Sequence, residues 1–238
     1  MTRVNRAELL QSLQMVQPGI SVRDIVEQSS CFVFKDGEIF TYNDEIACRM
    51  KSPLEELTGA VQAIPLITIL SKLPEDEVTI LYENSELLVR GKKRRAGIRM
   101  EVDITLPIDS AEKPGDEWKP LHEDFLDAIR MVQDCAGKDE SKFALTCVHV
   151  HPKWVEACDN FQLTRYRMKT GISESCLIRK DSLKHIVVLD MQEFNETKNW
   201  IHFRAQSGMV LSCRRYIEEY PNLKPIFDFS GLPTQLPK

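Results

Sequence analysis

Residues 106–120 read Leu-Pro-Ile-Asp-Ser-Ala-Glu-Lys-Pro-Gly-Asp-Glu-Trp-Lys-Pro, and they divide the chain. Proline has no backbone donor and biases the residue before it toward extended conformations, so neither helical nor strand periodicity runs through the stretch. It reads as an extended connector, and the sequence on its two sides is written twice. Residues 8–16, Glu-Leu-Leu-Gln-Ser-Leu-Gln-Met-Val, are answered 116 positions on by residues 124–132, Asp-Phe-Leu-Asp-Ala-Ile-Arg-Met-Val. Asp44 is answered by Asp159 at 115, residues 67–73 by 183–189 at 116, and Arg99 by Arg214 at 115. Four echoes in order at nearly constant spacing predict two structurally equivalent domains, residues 1–108 and 120–238, joined by a connector over 109–119.

A chain of 238 residues is long enough to give each half its own core. No apolar run approaches the roughly 20 residues that cross a bilayer, and the start lacks a secretory h-region, so no membrane partner is expected. Seven scattered cysteines with no CxxC pair suit free thiols in a reducing cytoplasm.

In the first half Asn5 is placed to cap a helix, with Glu8 where a capping box puts it and Leu9, Leu13 and Val16 at helical spacing. Pro18-Gly19 ends that helix. Residues 31–34 and 38–42 flank Lys35-Asp36-Gly37, a strong hairpin signal. Strand continues over 46–50. Residues 63–73 predict a helix, although their β-branched content leaves a buried strand open. Strands follow at 78–82, 86–90 and 96–102, turned at Asn84-Ser85 and at a basic run, Lys92-Lys-Arg-Arg95. In the second half the order recurs: a helix over about 122–133, strands at 144–150, 155–158 and 163–168, a helix after Asp181, and a hairpin of 200–204 with 209–215. The proline-rich tail, 223–238, predicts no regular element. Each domain is thus α+β: two helices packed on antiparallel sheet.

Laid out this way, the residues resemble the DNA sliding clamp family, bacterial beta clamps above all. The resemblance rests on Tyr42-Asn-Asp-Glu-Ile46, Ile67-Thr-Ile-Leu-Ser-Lys-Leu-Pro74, Ala157-Cys-Asp-Asn-Phe-Gln-Leu163 and Arg215-Tyr-Ile-Glu-Glu-Tyr-Pro-Asn-Leu223, and covers residues 5 to 227. It departs from the family where Asn160 and Glu219 replace glycines; asparagine tolerates the left-handed region, whereas glutamate at the second position does not favour a tight turn. Bacterial clamps carry three domains per chain and dimerise. Two-domain clamps, as in phages and in proliferating cell nuclear antigen, close as trimers, so the resemblance implies a homotrimer and a phage-like origin.

The function the resemblance implies is that of a processivity factor, which encircles duplex DNA without reading its sequence and tethers a polymerase in replication. It does no bond chemistry, is not an enzyme and takes no cofactor. The net charge of −5 opposes simple nucleic-acid binding, but a closed ring can be acidic outside and basic inside. Phosphates need only sparse cations there. Arg6, Lys72, Arg130 and Lys184 lie off the apolar helical stripes, Arg23 follows the first helix, and Lys138 and Lys142 follow the third. Short apolar peptides of the polymerase and clamp loader are expected to enter a pocket of Phe161, Leu163, Pro221, Ile226 and Phe227, carried over from the family. Two other readings stand beside this one. A clamp-like regulatory or decoy protein would share the fold without encircling DNA. A metal hydrolase would use Cys147, His149 and His151, which alternate on one strand face and are zinc-ligand types, although their spacing matches no standard motif and no nucleophile elbow or phosphate loop accompanies them.

Overall fold

The computed structural model describes residues 1–22 and 26–227. The first half runs β1 (Thr2–Asn5), α1 (Arg6–Val16), β2 (Cys31–Lys35), β3 (Glu38–Tyr42), β4 (Ile46–Lys51), β5 (Gly59–Gln62), α2 (Ala63–Lys72), β6 (Glu77–Glu83), β7 (Glu86–Arg90) and β8 (Arg95–Glu101). The second half repeats that order as β9 (Lys119–Pro120), α3 (Phe125–Val132), β10 (Cys147–His151), β11 (Trp154–Cys158), β12 (Leu163–Arg167), β13 (Cys176–Arg179), α4 (Lys180–Val188), β14 (Glu193–Glu196), β15 (Trp200–Arg204) and β16 (Val210–Arg214), followed by a single helical turn, α5 (Lys224–Phe227). None of the described helices is long and apolar enough to cross a membrane.

The sheets repeat as well. In the first half β1-β6-β7-β8 and β5-β2-β3-β4 are joined where β8 meets β5; in the second half the same places are taken by β9-β14-β15-β16 and β13-β10-β11-β12. Every pairing is antiparallel. The halves meet where β4 pairs with β16, from Val210↔Arg49 to Cys213↔Ile46, which makes twelve strands of one continuous sheet. The α+β class, with two helices on antiparallel sheet in each half, is therefore as the sequence predicts.

Local chemistry sets the elements. The Asn5 side chain accepts hydrogen bonds from the Ala7 and Glu8 amides at 2.9 and 3.1 Å, satisfying two of the four orphan donors of α1. Asp36 and Gly37 both take positive φ, 52° and 74°, as do Asn84 and Ser85, at 53° and 62°. These are the left-handed pairs a two-residue hairpin turn demands. Leu9, Leu13 and Val16 of α1, Leu66 and Leu70 of α2, Phe125, Ile129 and Val132 of α3, and Leu183 and Ile186 of α4 are all buried in one core against the sheets. Each such side chain contributes roughly 1.5–3 kcal/mol of transfer free energy.

Several expectations are corrected. Residues 63–73 are helical through Lys72, which closes the strand alternative. The strand expected from 144 begins at Cys147, because residues 140–146 form a 3-10 turn closed by the Thr146 hydroxyl donating to the Phe143 carbonyl. Asp181 lies inside the first turn of α4 rather than capping it; Arg179 stands at the cap. The tail does form one helical turn, α5, where the Asn222 side chain accepts from the Lys224 amide at 3.1 Å.

Candidate nucleic-acid and partner interface

The helices pack in pairs, α1 with α2 and α3 with α4, and their outward faces are the candidate DNA surface. On those faces the exposed ionised residues are Lys72, Arg130 and Lys184, against Glu8, Asp127 and Asp181. Arg130 pairs with Asp127 one turn earlier, and Lys184 reaches Asp181 at 3.2 Å. The exposed helical charge is therefore balanced. Arg6 is half-buried, and its guanidinium donates to the carbonyls of Leu70 at 3.2 Å and Glu75 at 2.8 Å. It caps the C-terminal end of α2, where a cation also meets the negative end of the helix dipole. Lys138 and Lys142 are exposed after α3, and the Lys142 ammonium donates to the Asn160 side chain at 3.1 Å. Arg23 lies outside the described residues.

The basic run from 92 to 95 forms the β7–β8 turn. Arg94 donates to the Lys72 carbonyl at 3.3 Å, which brings that turn against the end of α2. Arg3, Lys92, Lys93 and Arg94 border a shallow depression there, shared with Glu75, Asp76 and Glu77.

The five residues expected to form the peptide pocket have different surroundings. Phe161 is 95 % exposed on the β11–β12 turn and borders a cavity with Lys138 and Lys142. Leu163 is half-buried on β12, while Pro221 and Ile226 are exposed. Phe227 lies over the Arg165 guanidinium, 4.5 Å from ring centre to the charge.

Arg165 belongs to a network on the outer face of β10-β11-β12. Glu156, whose side chain is 3 % exposed, accepts from Arg165 at 2.6–2.7 Å, from the Trp154 indole at 2.9 Å, and lies 2.7 Å from His149 Nδ1. Burial alone would raise the Glu156 pKa, but the hydrogen bonds from His149, Arg165 and Trp154 outweigh it and hold the carboxyl below its ordinary range. His151 stacks on Trp154 at 3.5 Å, and its Nδ1 accepts from the Lys153 amide. Cys147 is fully buried, with its thiol pKa pushed up to about 11 by that burial. The two histidines proposed as metal ligands are thus engaged with a carboxylate and an indole, and the thiol is held protonated.

One cleft was not foreseen. The connector crosses the outer face of β3 and β4, where Leu106 is buried with Val33, Tyr42 and Trp200. Beside this contact lies a cleft of about 150 Å³ lined by Phe40, Tyr42, Ala47, Arg49, Ile108 and Lys113, among others. The alternating apolar residues Ile104, Leu106 and Ile108 were the available signal that the connector has a face to bury.

A scan against family models and a comparison with curated proteins each find no match. Solved structures do match. A putative DNA polymerase III beta subunit from Eubacterium rectale superposes with a TM-score of 0.77 at 18 % identity, over 95 % of this chain and 67 % of its own. The DNA polymerase sliding clamp of Bacillus subtilis gives 0.77 at 20 % identity over 94 % and 66 %, and the DNA polymerase III beta subunit of Thermotoga maritima 0.74 at 17 % over 94 % and 66 %. This chain has the sliding-clamp fold. It spans about two thirds of the length of those clamp structures. At such identities the likeness carries the fold, and residue roles must come from this chain's own geometry.

Proposed function

We propose that this chain is a sliding clamp, a non-enzymatic processivity factor that closes in the cytoplasm around duplex DNA as a homotrimer of six repeated units and tethers a polymerase. The observation that carries this reading is the duplicated unit joined edge to edge through β4 and β16, in the fold of the bacterial clamps. Heterologous, head-to-tail joining of one unit to the next generates rings when the rotation closes.

The four helices would face the DNA. Their balanced charge offers little counterion-release affinity for the duplex, so retention would come from the closed ring rather than from phosphate contacts. Lys72, Arg130 and Lys184 would supply weak contacts from the helices, with Lys138 and Lys142 from the segment after α3, and Arg23, which follows α1 in the sequence, would join them. Arg6, bonded to two carbonyls, would act on α2 rather than on DNA. A short apolar peptide of a polymerase or loader would dock on an outer face. The cleft under the connector in the first half is one receptor, and the group around Leu163, Pro221, Ile226 and Phe227, with Phe161 nearby, is the other.

The same balanced helix face favours one second reading, a clamp-shaped regulatory or decoy protein that does not encircle DNA. Retention on nicked circular DNA separates the two. A ring should stay on the circle after loading and leave once it is cut. Arg23→Glu with Lys72→Glu should weaken loading onto the circle while light scattering still finds assemblies near three chains of 27.4 kDa each. A chain that is never retained on circles, whatever its loader, overturns encirclement and leaves the second reading.

A further inference from the structure

Each half offers one edge like β4 and one like β16, but the chain joins only one such pair internally. The counterpart of β4 is β12, 116 residues on, since Tyr42↔Ala47 recurs as Cys158↔Leu163. The counterpart of β16 is β8, 115 residues back, since Leu88↔Gly97 recurs as His202↔Ser212 and Arg99 answers Arg214. β12 ends its sheet. β8 pairs with β7 along its length and with β5 only at Met100 and Glu101, so residues 95–99 have a second edge that no described strand covers.

The ring reading brings the β8 edge of one copy against the β12 edge of the next, and we propose that in this chain that contact, in the register of the internal junction, is the weak seam of the assembly, held by Phe161 and opposed by two arginines. The inference rests on the ring reading and adds which residues close the ring. Transferring the register places Arg95 opposite Arg165, Ala96 opposite Thr164, Gly97 opposite Leu163, Ile98 opposite Gln162 and Arg99 opposite Phe161.

The internal junction is clasped by polar groups at its end. Arg214 donates to the Asp44 carboxylate at 2.6 Å and to its carbonyl at 2.8 Å, and the Tyr216 hydroxyl donates to Glu45 at 2.6 Å. The strand pairings correct one sequence echo: Asp159 takes the place of Asn43, each accepting from two amides that follow in its turn, so Asp44 is answered by Asn160 and the corresponding residues at the open edges are Arg99, Asn160, Glu101 and Phe161. The ion pair becomes arginine with asparagine, and the phenol–carboxylate bond becomes a glutamate beside a phenyl ring. This gives the 95 % exposed Phe161 a partner: the Arg99 guanidinium of a second copy, over its ring, an attraction that grows as the pair desolvates. Further along, Val210 opposite Arg49 becomes Arg95 opposite Arg165. Like charges directly opposed across strands repel. Glu156 behind Arg165, at 2.6 Å, softens the repulsion, as does Glu83 near Arg95 at 3.8 Å, but neither lies between the two guanidinium groups.

A seam of this kind should strengthen as salt screens the arginines, the reverse of one held by ion pairs. The test is light scattering of the full chain across concentrations, at about 0.05 M and about 0.5 M salt. The wild type should associate more tightly at the higher salt. Arg95→Glu should tighten association roughly tenfold at low salt and reverse the salt dependence. Phe161→Ala, at a site 95 % exposed in the single chain, removes the ring without adding a charge and should weaken association at both salts. If the wild type forms assemblies and Arg95→Glu leaves them unchanged, the register is wrong and the ring reading stands. If wild type and Arg95→Glu both remain monomeric at every concentration, the seam and the self-closing ring fail together.

Discussion

The outer faces of the two halves share a backbone and differ in chemistry. On the first, Val33 and Phe40 lie opposite each other beneath the connector, in an apolar cluster with Tyr42, Leu106 and Trp200. On the second, the same two positions are His149 and Glu156, opposite each other beneath Tyr220, whose ring lies 4.8 Å from that of His149. Arg49 and Arg165 also correspond. The first borders a cleft, while the second pairs with a buried carboxylate between two aromatic rings. A strand position under a covering segment can thus be filled by apolar packing or by a fully paired polar network. The two differ in what a single substitution leaves behind.

The largest effect should come from Glu156→Ala, which leaves Arg165 and His149 half-buried without their carboxylate. Removing one partner of a buried ion pair costs about 3–5 kcal/mol, so urea unfolding at neutral pH should show a loss of that order. Replacing the whole set by apolar groups (His149→Val and Glu156→Phe, as in the first half, with Arg165→Met to remove the remaining charge) should be close to neutral or stabilising, because apolar packing is often as good as a buried ion pair. A triple variant as unstable as Glu156→Ala would mean that the network does something packing cannot replace.

The next comparison is between Leu88 and His202, which occupy equivalent places in β7 and β15 opposite Gly97 and Ser212. Both are buried, but only His202 titrates. Burial, with Arg49 nearby, pushes its pKa down to about 4, and its ring nitrogens lie 2.7 and 3.1 Å from the Ser212 and Thr197 hydroxyls. The unfolded chain takes up this proton from about pH 6.5 downward, the folded chain only near 4. The stability is therefore fully present above 6.5 and is lost as pH falls toward 4, by about 3 kcal/mol at 1.36 kcal/mol per pH unit. His202→Leu with Ser212→Ala, which imitates the first half, should remove that part of the acid sensitivity in thermal melts between pH 7 and 4. A melt series with undiminished pH dependence would place the sensitivity elsewhere.

The sequence shows most where structure is decided within a few residues. Asn5 had only its own helix to cap, Asp36-Gly37 only a two-residue turn to make, and the repeat spacing revealed the duplication. It shows least where the deciding contact is distant. β5 and β13 run directly into α2 and α4, with no side-chain cap at Gln62 or Arg179 to mark the change of period, so neither strand was visible. Arg6 lies off the apolar stripe of its helix and looked free for DNA. Only the fold brings the carbonyls of Leu70 and Glu75, more than sixty residues away, to its guanidinium. The connector cleft likewise depends on Leu106 meeting Trp200. The candidate DNA surface was legible as a set of helices, but not as a charge-balanced face, because the pairing of Arg130 and Lys184 with Asp127 and Asp181 depends on side-chain conformation.

The smallest predicted effect concerns the internal junction. The Arg214–Asp44 pair is partly exposed, at 31 % and 58 %, so solvent and salt screen it, and Arg214→Ala should lower overall stability by no more than about 1 kcal/mol. Its consequence for the comparison of seams is larger than its energy. Arg214 reaches Asp44 across 170 residues and, with Tyr216 and Glu45, is part of what distinguishes the junction within the chain from the open edges. Asp44→Asn with Glu45→Phe gives the internal junction the residues of the β12 edge, Asn160 and Phe161. Hydrogen exchange at the β4 and β16 amides should then rise while the amides of β1 and β6 remain protected, because the halves would separate locally before either unfolds. Unchanged protection along β4 would show that the strand ladder alone holds the junction, and that losing the same clasp does not weaken the open edges.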